Sequence, residues 1–116
     1  MVSKNIDVAC IGSACIDAII SVQDIMRFEL FEKEKIKKYT AIEYSSKANI
    51  DQLSFTPGGS AANVSVDLSI LNLRTAYIGR LGDDSLGNEC LQDLKKHNVN
   101  VEGVYFDKNN PTAFSV

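Results

Sequence analysis

The sequence predicts an α/β fold: a mainly parallel sheet with helical crossovers and one small antiparallel insertion. Three observations lead there. Val8-Ala9-Cys10-Ile11 is a continuous apolar run closed by Gly12-Ser13, the pattern of a strand buried on both faces. A strong helical pattern starts at Ser60, directly after Pro57-Gly58-Gly59. From there strand and helix alternate to the end of the chain, which argues for right-handed crossovers in one sheet.

The elements follow in order. After the first strand, Ala18-Ile19-Ile20-Ser21-Val22 is a second apolar run, and Asp17 lies just before it. An acid between Ile16 and Ala18 either caps a local turn or faces a cleft, because burying it without partners is costly. Residues 23 to 38 fit neither period well and suit a loop or a short helix. Tyr39 to Tyr44 alternates and reads as a strand with one wet face, Ser45 to Asn49 as a turn, and residues 52 to 56 as a returning strand. An antiparallel insertion is therefore expected at about 39 to 56.

From Ser60, Ala61, Val64, Leu68 and Leu71 form one stripe, and Ala62, Val66, Ile70 and Leu73 the next. So wide an apolar face predicts a mostly buried helix, ending at Asn72. Thr75 to Gly79 reads as a strand. In the loop that follows, Asp83 or Asp84 is a natural N-cap for a helix carrying Leu86, Cys90, Leu91 and Leu94 inward. Lys95, Lys96 and His97 suit its carbonyl end. Val101 to Phe106 is a strand, Lys108 to Pro111 a turn, and Thr112 to Val116 starts a further strand.

Composition narrows the function classes. The 116 residues are 45% hydrophobic and 23% charged, with net charge −3, a globular profile without a nucleic-acid signature. Lys33 to Lys38 is interleaved with Glu34 and preceded by Glu29 and Glu32, so it reads as a solvated face. The three cysteines, Cys10, Cys15 and Cys90, form no C-x-x-C pair and read as reduced small hydrophobes. His97 is the single histidine, too little for a metal site. Asp7 and Gly12 interrupt the amino-terminal stretch too soon for a signal peptide, and no window approaches the roughly 20 apolar residues of a membrane helix. A cytoplasmic protein is expected.

Gly58 and Gly59 stand where a strand turns into a helix. Without a Cβ, they let a ligand approach the backbone, and the leading amides of a helix are donors without intrahelical partners. A plain turn before a buried helix explains the same pair. Asn63 falls in the first helical turn. An acid at Asp17, two bare glycines and a carboxamide in one crevice would suit a polyhydroxy ligand, the carboxylate accepting vicinal hydroxyls.

These residues carry a resemblance. Gly12-Ser13-Ala14-Cys15-Ile16-Asp17 resembles the first-strand segment of the ribokinase-like (PfkB) carbohydrate kinase family, whose Asp binds substrate hydroxyls. Gly58-Gly59-Ser60-Ala61-Ala62-Asn63 resembles its G-G-x-x-x-N signature, and Gly79 to Gly87 its G-x-x-G-D-D-x-x-G segment. The order and spacing cover nearly the whole chain. The resemblance implies a ribokinase-like, Rossmann-type α/β/α sheet in which the insertion is a β-lid over the sugar and a homodimer contact. It implies transfer of the γ-phosphoryl of ATP, with Mg²⁺, to a hydroxyl of a sugar or nucleoside, usually a CH2OH. It implies that Asp17, Gly58, Gly59 and Asn63 bind the acceptor, with Ser115 on the last strand lining the same pocket.

Cys15 and Ser60 stand where ribokinase itself carries Asn and Lys, which counts against ribose and leaves fructose, another sugar or a nucleoside open. The family's D-T-x-G-A-G-D segment, which supplies the catalytic base and adjoins the nucleotide pocket, has no counterpart here. Residues 1–116 are thus expected to be the amino-terminal, acceptor-binding part of a longer kinase, inactive in phosphotransfer alone and inclined to associate. The competing expectation is a catalytically inactive sugar-binding or dimerisation module. A Rossmann nucleotide binder is disfavoured, because neither its glycine fingerprint nor a phosphate loop is present.

Overall fold

The computed structural model describes residues 5–23 and 25–116. The start of the chain, residues 1–4, which bears on the signal-peptide reading, and Asp24 lie outside the described residues. Ten elements follow in order: β1 (Val8–Ile11), β2 (Cys15–Val22), β3 (Met26–Glu32), β4 (Lys35–Ala41), β5 (Ile50–Gly58), α1 (Ser60–Ile70), β6 (Thr75–Gly82), α2 (Ser85–Lys96), β7 (Asn100–Asp107) and β8 (Ala113–Ser115). The chain divides into two compact units. One holds the residues up to Ala18 together with Phe55–Val116, the other Ile19–Ser54.

The larger unit is the expected α/β sheet. β1, β6 and β7 lie in the order β1-β6-β7 and pair in parallel, Cys10 opposite Tyr77 and Gly79 opposite Val104. Helix α1 packs on β1 and β6, and α2 on β6 and β7, as crossover connections require. A second sheet has the order β5-β2-β8, with Cys15–Asp17 parallel to Ala113–Ser115.

The core gathers Cys10, Ile16, Tyr77, Leu81, Cys90 and Leu94 between sheet and helices. Ile16 and Tyr77 are wholly buried, and the Tyr77 hydroxyl donates to the Gly12 carbonyl at 2.9 Å, the polar partner that a buried phenol needs. Burial raises the Tyr77 pKa.

The helix termini are set by local chemistry. Asn72 takes the left-handed conformation just past α1, with φ 65°, and Asn98 does so after α2, with φ 59°. Asp84 is the N-cap of α2, its Oδ1 accepting from the Gly87 amide at 2.7 Å. His97 closes α2, its ring Nδ1 at 2.9 Å from the Asp93 carbonyl.

Helix α1 departs from expectation. Only Ala61, Ala62 and Ser65 are buried, while Val64, Ile70 and Leu71 are between 49% and 70% exposed. Its small residues face the sheet, and the branched ones on its far side lie bare.

The smaller unit corrects the reading of the insertion. Residues 26 to 41 are neither loop nor helix but the hairpin β3–β4, antiparallel from Met26 opposite Ala41 to Glu32 opposite Lys35. The strand expected at Tyr39–Tyr44 is the tail of β4, which stops at Ala41, and its partner is β3 rather than residues 52 to 56. Two residues make the turn, Lys33 and Glu34, both at positive φ (40° and 74°). Phe28 and Tyr39 stack across the strands with centroids 5.4 Å apart. Lys37 pairs with Glu32, and Lys38 with Glu29 at 3.4 Å, so the basic run is a solvated, self-compensated face. All of β3 is exposed, including Phe28, Leu30 and Phe31.

Among the described residues no helix is long and apolar enough to cross a membrane.

Candidate functional site

The site is built on the strands flanking β2. Strand alternation puts Ile16 and Ala18 into the core and turns Cys15 and Asp17, both half-buried, to the opposite face. Asp17 is therefore a strand residue, not the cap of a turn, and its partners come from β2 and β8. The Ser115 hydroxyl donates to Asp17 Oδ1, and the Cys15 thiol lies 3.5 Å from the same oxygen. Burial and the adjacent carboxylate raise the Cys15 pKa, and burial pushes the Cys90 thiol up to about 11, so both stay protonated at neutral pH. Cys15 thus donates to the carboxylate.

Two donors converge on one oxygen, and Asp17 Oδ2 has no hydrogen-bond partner among the described residues. It is aimed at Gly58, the buried last residue of β5. A Cβ there would stand 2.2 Å from Oδ2 and 3.7 Å from the Cys15 sulfur. Gly58 is required because the carboxylate occupies the space a side chain would fill.

Gly59 is required for a different reason. It is the N-cap of α1 at φ 101°, and a Cβ would lie 2.6 Å from both the Ser13 carbonyl oxygen and Ala14 Cα. The leading amides of α1 are not all bare, contrary to the sequence expectation. Ser13 Oγ accepts from the Ser60 amide at 3.1 Å, and the Ser13 carbonyl accepts from the Ala62 amide at 3.2 Å. Gly59 has no side chain to cap the helix, so Ser13, 47 residues upstream of Ser60, performs that service. In the sequence Ser13 marks only the close of the first strand, because its separation of 47 residues from Ser60 hides the contact.

Asn63 lies exposed in the first turn of α1 and with Gly58 lines a cleft of about 260 Å³, walled on the α2 side by Cys90, Asp93 and Leu94. The structure therefore brings Asp17, Gly58 and Ser115 directly together, with Cys15 added. Asn63 is not brought to the carboxylate: it shares with Gly58 a cleft whose lining includes neither Asp17, Cys15 nor Ser115, and Gly59 shapes the backbone beside Gly58.

Chemically this is an ionisable acceptor with one satisfied oxygen and one unsatisfied oxygen, beside a backbone without side chains. Such a group selects hydroxyl donors. Among the described residues no group of three His, Cys, Asp or Glu side chains is placed to hold a metal ion.

Comparison with known proteins places the chain in a family. The family model for "pfkB family carbohydrate kinase" matches residues 5–116. The chain is 46% identical over 59 residues to a probable fructokinase-5 of Arabidopsis thaliana, a match covering 51% of this chain and 18% of that protein. The fructokinase structure from Halothermothrix orenii superposes with a TM-score of 0.67 at 28% identity, covering 95% of this chain and 34% of the other. The nucleoside kinase of Methanocaldococcus jannaschii, an archaeal member of the ribokinase family, shares the fold with a TM-score of 0.69 at 20% identity, covering 90% and 30%. The chain thus spans about a fifth of the curated relative and about a third of each solved structure. With a ribokinase-like α/β fold and a family model matching all but the first four residues, the chain belongs to the pfkB family of carbohydrate kinases.

Proposed function

We propose that this chain is the acceptor-binding part of an ATP-dependent sugar kinase, with a ketohexose such as fructose as the first candidate substrate. The observation that carries the reading is the half-buried Asp17, whose Oδ2 is unpartnered beside Gly58 while Ser115 and Cys15 hold Oδ1. With Oδ1 anchored, Oδ2 accepts a sugar hydroxyl without a loss of side-chain freedom on binding. Gly58 leaves the carboxylate room to hold that position, and the Asn63 carboxamide, in the cleft that Gly58 also lines, would add a donor. ATP, with Mg²⁺, would supply the phosphoryl group. Phosphoryl transfer depends mostly on positioning and electrostatics, and holding the acceptor hydroxyl in place is this chain's share.

The match to fructokinases supports a sugar over a nucleoside. The three free cysteines support a reducing, cytoplasmic setting, and the exposed apolar side chains of β3 support self-association through that hairpin.

Calorimetric titration of the chain with fructose, ribose and adenosine tests the reading. Fructose should bind, and the Asp17→Asn variant should bind it about ten- to a hundredfold more weakly, since a hydrogen bond to a charged group contributes about 1.5–3 kcal/mol. Fructose binding that is indifferent to Asp17 would move the site elsewhere. Binding without ATP-dependent turnover when the chain is joined to the rest of a family kinase would favour a binding module.

A further inference from the structure

Among the described residues the segment Gly82-Asp83-Asp84-Ser85-Leu86-Gly87 makes no hydrogen bond to Asp17, Gly58, Asn63 or Ser115, yet its polar groups converge on one residue, Thr112. Asp84 Oδ2 accepts from the Thr112 amide at 2.8 Å, and Asp84 Oδ1 accepts from the Thr112 hydroxyl at 2.7 Å. The Thr112 oxygen in turn accepts from the Gly82 amide at 2.9 Å. Thr112 is only 5% exposed. These bonds hold the Asp84 carboxyl below its usual pKa, the Thr112 amide first among them.

Both glycines are needed for the approach. A Cβ on Gly82 would meet the Thr112 nitrogen at 2.4 Å, and one on Gly87 would meet the Thr112 hydroxyl at 2.8 Å. The turn leading to Thr112 is held as well. Arg80 Nη1 reaches Asp107 at 3.2 Å, and Asp107 accepts from the Asn109 and Asn110 amides.

Strand β8 begins one residue after Thr112. Among the described residues it pairs with β2. Its register, Ser115 opposite Asp17, decides whether the Ser115 hydroxyl meets the carboxylate, since a slip of one residue turns Ser115 to the other face.

We propose that the Gly82–Gly87 segment is a latch that sets β8 in register beside Asp17, with Asp84 and Thr112 as positioning residues for the acceptor site. The proposal rests on the acceptor reading of Asp17. The alternative is that Asp84 merely caps α2. Thr112→Val separates the two, because it deletes the hydroxyl and leaves the Asp84–Gly87 cap in place.

Amide hydrogen exchange and fructose titration on the 116-residue chain give the test. In Thr112→Val the β8 amides should exchange at least about tenfold faster, with β1 and β6 unchanged, and fructose affinity should fall about tenfold. Thr112→Ser should restore both. Made in a Ser115→Ala background, Thr112→Val should cost little further affinity, because both act through one contact. Unchanged β8 exchange overturns the latch. So does faster exchange with unchanged affinity, or a full additional loss in the Ser115→Ala background. If Thr112→Val does not fold, Asp84→Asn takes its place under the same criteria. Should the wild-type chain bind no fructose, the acceptor reading fails separately. The latch is then judged on β8 exchange alone, acceleration supporting it and no change overturning it.

Discussion

At the residue scale, Asp17 and Gly58 form one device. The carboxylate is held by two donors on one oxygen and left unpartnered on the other, and the glycine clears its approach. A Gly58→Ala change places a methyl 2.2 Å from Asp17 Oδ2, so the carboxylate must swing off its donors. Calorimetry should show fructose affinity falling at least about tenfold in that variant, a loss of about 1.4 kcal/mol or more. An unchanged affinity would mean that the carboxylate needs no fixed position. Much of this was legible in the sequence: an acid beside an apolar run and a glycine pair before a helix mark themselves by their cost. That Gly58 serves the carboxylate while Gly59 serves Ser13 and Ala14 was not, because the two glycines look alike until the β1–β2 connection is brought against them.

At the scale of elements, α1 shows how a helix with a glycine N-cap is started from a distance. Ser13→Ala removes the acceptor of the Ser60 amide, and loss of a helix cap costs about 0.5–2 kcal/mol. Chemical denaturation should show a loss in that range. No change would mean that water replaces the serine without cost. Leu94 is 1% exposed on the inner face of α2, and Leu94→Ala should destabilise the chain by about 2–5 kcal/mol in the same assay. The elements legible from their periodicity are β6, α2 and β7; β1 is a strand as its apolar run predicts, but it buries one face and not two, Cys10 lying inward while Ile11 is 77% exposed. The hairpin β3–β4 was missed for two reasons. It buries almost nothing, so its alternation carries no contrast between inside and outside. Its turn, moreover, uses Lys33-Glu34 at positive φ in place of the Asn-Gly or Asp-Gly that announces such a turn. Helix α1 is less buried than its two apolar stripes suggest: Ala61, Ala62 and Ser65 meet the sheet closely, Val66 and Leu68 pack against the core partly buried, and Val64, Ile70 and Leu71 lie exposed.

At the scale of the whole molecule, β1 is tied to the end of the α1–β6 connection by Asp7 and Arg74. Arg74 donates through Nε at 3.0 Å, through Nη2 at 2.5 Å and through its amide at 2.9 Å. The Arg74 hydrogen bonds lower the Asp7 pKa to about 2. A carboxyl whose pKa is depressed on folding contributes stability that is full above its unfolded pKa, near 4, and is lost as pH falls through about 2. Melting temperatures of wild type and Asp7→Asn should therefore differ at pH 6 and converge between pH 4 and pH 2. A constant gap across that range would contradict the pairing. The fold class and family were legible at this scale, because three spaced motifs must all be satisfied by one topology. The substrate was not, since Cys15 and Ser60 alter the pocket without naming what fills it.

The most direct measurement of the central claim is an NMR titration of the chain with fructose, following the amides of Gly58 and Ser115. A single polyol held by Asp17 predicts saturable shifts at both amides in the wild-type chain and none in Asp17→Asn. Identical saturable shifts in the two proteins, or wild-type shifts confined to residues remote from Asp17, would contradict it.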